Sequence, residues 1–266
     1  MKSILEKIRE GLEEPLREKK RLVPFEKILE ASLKMPYPPS FRNALKIDGE
    51  NPAVIAELKK ASPSEGVIRE DFDVSVLAPM LEYAGASALS VLTEPNYFLG
   101  SIENLKKARE CVKIPLLRKD FIFDEYQICE ARVAGASAIL LIAKMLPKKR
   151  IAELIEFADS VGLDVLAEAH DSSEIFELVD CGADIIGLNC RNLADFSTDL
   201  SAGLELLKNV PAGIIKVAES AIRNRGDILR ARSAGADAVL VGTSIMRGGA
   251  DVGKALRELL GEKNEA

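Results

Sequence analysis

A short pattern returns four times along the chain. Gly85-Ala86-Ser87 runs into ALSVLT, Gly135-Ala136-Ser137 into AILLIA, Gly182-Ala183-Asp184 into IIGLN and Gly235-Ala236-Asp237 into AVLVG, at glycine spacings of 50, 47 and 53 residues. Each glycine closes a segment with helical apolar spacing, the place for a left-handed residue just past a helix end. A short aliphatic strand follows at once. A single strand–helix–strand unit needs roughly 30 residues, so a repeat of about 50 holds two strands and two helices. The alternate strands lie between the repeats as VIAEL (54–58), PLLRKD (115–120), DVLAEAH (164–170) and IIKVAES (214–220). Eight strands result, each followed by a helix, with the near-continuous aliphatic character of parallel strands covered on both faces. Such units close into a (β/α)8 barrel. An open doubly wound sheet uses the same units, and strand count alone does not decide between them.

The sequence predicts one barrel domain over 1–266, with 1–48 as its N-terminal helical cap. LEKIREGLEEPLREKK and FEKILEASLKM are amphipathic, and Pro36-Tyr37-Pro38-Pro39 breaks the second. The first of these reads as a solvated helix, too charged for a signal peptide. A net charge of −6 over 266 residues argues against a general nucleic-acid or anionic-membrane surface. Cys111, Cys129, Cys181 and Cys190 form no CxxC pair, and His170 is the lone histidine, so no familiar Cys/His metal site can be assembled. Without an apolar run of the ~20 residues that span a bilayer, the expectation is a cytoplasmic protein with reduced thiols.

Barrels of this kind do their chemistry at the C-terminal ends of the strands. There the chain places Glu57 and Lys59, Lys119 and Asp120, Glu168 and His170, Asn189 and Arg191, Glu219 and Ser220, and Gly242, Thr243 and Ser244. Side chains alternate along a strand, so Glu57 with Lys59, and Glu168 with His170, share a face. Lysines and glutamates converging on one mouth perturb one another's ionisation, as acid–base catalysis requires. The glycine- and hydroxyl-rich ends of the last two strands match the common phosphate site of such barrels, and Lys59 and Ser62 can add to it. A phosphorylated small molecule is the expected ligand. GGADVGK (248–254) matches GxxxxGK, but Ala255 stands where a nucleotide loop needs Ser or Thr.

Several stretches in order carry a resemblance: IAELKKASPSEG (55–66), LSVLTEPNYFLGS (89–101), PLLRKDFIFDEYQI (115–128), LAEAHD (166–171), IGLNCRNLADFSTDL (186–200), VAESAI (217–222) and VLVGTSIMR (239–247). Together they resemble the indole-3-glycerol-phosphate synthases of tryptophan biosynthesis, with the likeness running from Ser40 to Arg247. The resemblance implies a (β/α)8 barrel with an N-terminal helical extension. The implied reaction closes 1-(2-carboxyphenylamino)-1-deoxyribulose 5-phosphate to indole-3-glycerol phosphate, losing carbon dioxide and water. It implies no metal or organic cofactor, and a monomer able to associate with other enzymes of the pathway.

By the same resemblance, Lys119 is the general acid at the ribulose carbonyl and Glu168 the acid/base carboxylate of later proton transfers. Glu57 and Asn189 orient the substrate and the lysines, and Lys59 and Arg191 supply charge for its anionic groups. Ser62, Gly242 and Thr243 are phosphate-site positions with Glu219 and Ser220 beside them, and Phe98, Phe121, Leu140 and Leu193 wall the aromatic ring. A lysine acid is expected to have its pKa lowered by burial and neighbouring cations, a working glutamate to have its pKa raised. The family pattern Ser-Glu-Ser-Gly is here Ala218-Glu219-Ser220-Ala221, and alanine crowds the anion or strains the loop where glycine takes positive φ freely. Two other readings remain at this point. A phosphosugar isomerase wants one acid and one base, fewer than this mouth offers, and a non-catalytic phosphate-binding barrel has no need of them.

Overall fold

The computed structural model describes residues 4–46, 49–191, 197–249 and 251–262. Strands lie where the repeat places them: β1 Ala53–Leu58, β2 Ala88–Leu92, β3 Leu116–Lys119, β4 Ala138–Ile142, β5 Asp164–Ala169, β6 Ile185–Asn189, β7 Ile215–Glu219 and β8 Ala238–Val241. Each pairs in parallel with the next, and β8 returns to β1 through Ala53↔Ala238 to Ala56↔Val241. The sheet is closed, which rules out the open doubly wound alternative. The repeat glycines Gly85, Gly135, Gly182 and Gly235 have φ of 93°, 89°, 86° and 92°. Each therefore turns the chain from helix into strand in a conformation that a Cβ would penalise.

Along every strand one set of side chains faces the surrounding helices and the other fills the barrel. Val54, Ala56 and Leu58 belong to the outer cluster, while Ala53, Ile55, Leu117, Leu140, Leu166, Ile185, Val217 and Leu240 form the inner one. The inner cluster also takes in Phe41 and Leu45, both fully buried, from the N-terminal segment. Phe41 opens a one-turn helix, α3 (Phe41–Ala44), and Leu45 caps its end, after α1 (Ile4–Leu22) and α2 (Phe25–Leu33). The Arg42 backbone N–H donates to Asp164 Oδ2 at 3.0 Å and its Nη1 to Asp184 Oδ2 at 2.7 Å, where β5 and β6 begin. This fixes α3 at the N-terminal rim, where Phe41 and Leu45 plug the barrel floor.

The opposite end is covered by α1. The amphipathic helix is solvated on its outer face as expected, and its apolar stripe turns inward: Ile8 is only 3% exposed, and Ile4, Leu5 and Ile8 line the cavity at the C-terminal mouth. The apolar stripe of α1 has a partner because the mouth carries its own apolar wall. The charged residues anchor it: Lys19 to Glu130 at 2.5 Å and Lys20 to Asp124 at 2.6 Å, on the loop and the helix Glu125–Val133 that follow β3. The turn after β1 is a small hairpin in which Ala61–Ser62 pairs with Gly66–Val67.

Candidate active site

A cavity of about 800 Å³ opens at the C-terminal ends of the strands. Its floor is the next inward layer above the aliphatic core: Glu57 from β1, Lys119 from β3, Glu168 from β5, Asn189 from β6 and Glu219 from β7. Lys119 Nζ lies 2.5 Å from Glu219 Oε2 and 3.4 Å from Glu168 Oε2. On the other side Lys59 Nζ lies 2.6 Å from Glu57 Oε2. Asn189 donates through Nδ2 to Glu168 Oε1 at 3.0 Å and accepts from Ser220 Oγ at 2.9 Å. Asn189 thus holds the carboxylate and the β7 turn, and not a lysine as the resemblance implied.

Charge counting explains the ionisation of the group. Two ammonium groups face three buried carboxylates, an excess of one negative charge where water is scarce. Burial alone would pull the Lys119 pKa down, but Glu219, Glu168 and Glu57 outweigh it and hold Lys119 above the ordinary lysine range. The expected lowering by neighbouring cations is therefore overturned, because its neighbours are anions. Burial works against ionised Glu57 and Glu168 too, yet Lys59 with Lys119, and Lys119 with His170, more than offset it and lower both pKa values. Glu219 goes the other way. Burial outweighs Lys119, the nearby Glu168 adds to it, and its pKa is pushed up to about 7. The glutamate with the raised pKa is Glu219, and Glu168 is held ionised.

The ends of β7 and β8 form a polar cradle. Ser220 and Ala221 have φ of 68° and 60°, so both lie in the left-handed region that glycine favours. Ala221 is strained there, as the sequence departure suggested. After β8, Gly242 precedes a short helix, Thr243–Met246, in which the first closing bond is Met246 N–H to the Gly242 carbonyl at 2.9 Å. The N–H groups of Thr243 and Ser244 therefore precede the intrahelical ladder. Ser244 Oγ donates to the Ile222 carbonyl at 3.0 Å, joining the two strand ends. Gly242 has a second role: a Cβ there would overlap Glu57 Oε2.

The β1 hairpin closes one side. Ser62 lines the cavity, and Arg191 Nη1 donates to Ser64 Oγ at 3.0 Å while its Nη2 lies 3.9 Å from Glu65. Arg247 also pairs with Glu65. The apolar wall is Phe98 and Phe121, with ring centroids 6.0 Å apart, together with Leu140 and the α1 residues. Leu193 lies outside the described residues. Phe98 is presented by a loop wound around buried Glu94, whose carboxylate accepts from the N–H groups of Asn96, Tyr97 and Phe98 at 2.7–3.0 Å. His170 does not line the cavity; its ring lies behind Glu168, 3.4 Å from Oε1, with Glu174 3.3 Å away on the other side. Lys254 of GGADVGK sits in the C-terminal helix Val252–Leu260, 4.0 Å from Glu258 and away from the cavity lining.

Sequence reasoning missed Ile4, Leu5, Ile8, Glu65 and Arg247. The apolar stripe of the first helix was a signal for the first three, while the pairing of Glu65 with Arg247 across the mouth leaves no local trace. Among the described residues no group of three or more His, Cys, Asp or Glu side chains is arranged to hold a metal ion.

Fold and site together define a (β/α)8-barrel enzyme equipped for acid–base chemistry on an anionic substrate. Among solved structures, thiamine phosphate pyrophosphorylase of Pyrococcus furiosus superposes with a TM-score of 0.61 at 21% identity, covering 84% of this chain and 96% of that one. A mutant tryptophan synthase α-subunit from the same organism gives 0.61 at 15% identity, covering 79% and 98%; at these identities the likeness is one of fold. The chain belongs to the indole-3-glycerol phosphate synthase family, whose model matches residues 5–259. The indole-3-glycerol phosphate synthase of Campylobacter jejuni is 47% identical over 258 residues, 97% of this chain and 100% of that protein. That of Dehalococcoides mccartyi is 45% identical over 260 residues, with the same coverage.

Proposed function

We propose that this chain closes the indole ring of 1-(2-carboxyphenylamino)-1-deoxyribulose 5-phosphate. The observation that carries the reading is Lys119, held cationic between Glu219 and Glu168 at the mouth of a barrel whose sequence is that of the synthase family. The aromatic ring lies against Phe98, Phe121 and Leu140, beneath α1. The phosphate is gripped by the N–H groups after β7 and β8, with Ser62 at the hairpin and Lys59 and Arg191 adding charge.

As the carboxylate-bearing ring carbon attacks the ribulose carbonyl, Lys119 meets the developing alkoxide as a charged donor and gives it a proton. The ring–carboxylate bond then breaks and its electron pair restores aromaticity as carbon dioxide leaves. Loss of the new hydroxyl as water needs a proton delivered to oxygen and one removed from the adjacent carbon. Glu168 and Glu219, on either side of Lys119, serve these transfers, and Glu57 holds Lys59. The net uptake is one proton per turnover. Covering of the mouth by the apolar face of α1 keeps these charges in a poorly solvated site, where they act more strongly.

The same reading places a monomer in the cytoplasm, beside other enzymes of tryptophan synthesis. Cys111, Cys129, Cys181 and Cys190 are all free thiols, which suits a reducing compartment. Incubation with the carboxyphenylamino-deoxyribulose phosphate should generate indole fluorescence; no product at micromolar enzyme would overturn the proposal.

A further inference from the structure

Gly187 occupies the middle of β6, inward-facing between Ile185 and Asn189, and its strand neighbours are Glu168 on β5 and Val217 on β7. Glycine inside a strand weakens it and commonly marks a close approach by another group. Its φ lies outside the left-handed region, so the backbone does not require glycine. Space does. A Cβ at this position would overlap Glu219 Oε1, lie 3.0 Å from Glu219 Cδ and lie 3.2 Å from Leu166 Cδ1. Glu219 is 1% exposed, and Oε1 finds no hydrogen-bond partner among the described residues, while Oε2 is 2.5 Å from Lys119.

We propose that Gly187 is a positioning residue for the ring closure: its missing side chain forms the recess that holds the Glu219 carboxylate against Lys119 with one oxygen unpaired. An ordinary side chain here would push the carboxylate up into the cavity. Glu219 would then exchange its buried, half-paired state for a hydrated one, and Lys119 would lose its nearest anion. The unpaired oxygen is what makes the recess functional. A carboxylate there only for structure would have both oxygens satisfied, whereas one with a free buried oxygen can take up and release a proton as the charge around Lys119 changes during turnover.

This inference rests on the proposed synthase reading, and its test separates the two. Turnover is compared for the unchanged enzyme, Gly187→Ala, Glu219→Asp and the double variant. Gly187→Ala should lower kcat by about 10-fold to 100-fold, the range expected for a misplacement of about 1 Å, and shift the pH–rate limb that lies near 7, with KM nearly unchanged. Aspartate is one methylene shorter and clears the recess, so alanine at position 187 should cost less than about threefold in that background. Equal penalties in both backgrounds, or an unaltered kcat and pH profile in the single variant, would overturn the inference. If the unchanged enzyme makes no product, the synthase reading fails instead. Gly187 is then judged by the pH dependence of unfolding, where Gly187→Ala should abolish the Glu219 titration near 7 and its persistence counts against the recess. Should Gly187→Ala not fold, Leu166→Val is added throughout to relieve the 3.2 Å contact.

Discussion

Glu219→Gln removes one carboxylate from a site that holds one too many. Glu57, Glu168 and Glu219 share Lys59 and Lys119, and burial with the neighbouring Glu168 pushes Glu219 from 4.5 up to about 7. The folded state therefore holds a proton over a range in which the unfolded chain has released it. Stability from this group is fully present below about 4.5, falls as pH rises, and is gone once pH has passed through 7. At about 1.4 kcal/mol for each pH unit, that displacement amounts to on the order of 3 kcal/mol.

Glutamine keeps the shape and cannot ionise. Its variant should lack the fall, while Lys119 stays charged and Glu57 and Glu168 stay ionised over the range compared. Equilibrium urea unfolding between about pH 5 and about pH 8, at fixed ionic strength, reads the difference directly. The unchanged protein should lose on the order of 3 kcal/mol relative to the variant across that interval, with the steepest change near about 6, midway between 4.5 and 7. Parallel stability curves would show that Glu219 is ionised throughout, and a difference of opposite sign would show that Lys119 dominates it. Either result refutes the charge count.

Lys119→Ala should lower turnover by on the order of 10² or more, with the far-ultraviolet circular dichroism spectrum intact, as loss of a positioned acid predicts; retained activity would remove its assignment. Ala221→Gly frees a residue held at φ 60°, where the strain is about 1–2 kcal/mol. Steady-state kinetics should show a lower substrate KM with near-normal kcat, and an unchanged KM would refute the crowding argument. Phe41→Ala opens a cavity in the barrel floor and should destabilise by about 3–5 kcal/mol in urea unfolding, with little effect on KM because the residue is at the end of the barrel away from the site.

Much of the fold was legible because the barrel repeats its own signals. Each of the four repeat glycines marks a helix end, and each aliphatic run after it has no other place than a doubly covered parallel strand. Residue placement at the mouth was legible for the same reason, since position along a strand fixes depth and parity fixes facing. Closure was not legible, because it depends on β1 meeting β8 across the whole chain length. Ionisation was misjudged at Lys119 and at Glu168 for a related reason. The sequence shows which charges reach the mouth, but the partner of each is set by contacts between strands, such as the 2.5 Å approach of Lys119 to Glu219.

The N-terminal segment shows how the two ends of the barrel depend on one stretch of chain. Phe41 and Leu45 fill the floor from below, and Ile4, Leu5 and Ile8 cover the mouth from above. Between them α2 lies along the outside, with Phe25 6.1 Å from Phe157 on the helix after β4. A cap tied only to the mouth could leave whenever the substrate did. This one is also anchored at the opposite rim, through Arg42 to Asp164 and Asp184. Of the lysine anchors of α1, Lys20 reaches Asp124 and Lys19 reaches Glu130, which also pairs with buried Arg118 at 2.9 Å, next in sequence to Lys119. The cover over the site and the strand that presents its central cation thus share one ion-pair network, running from half-exposed Lys19 to buried Arg118. Arg118 faces outward and Lys119 inward at adjacent positions of β3, so the network fastens the cover to the outer face of the strand that presents the cation.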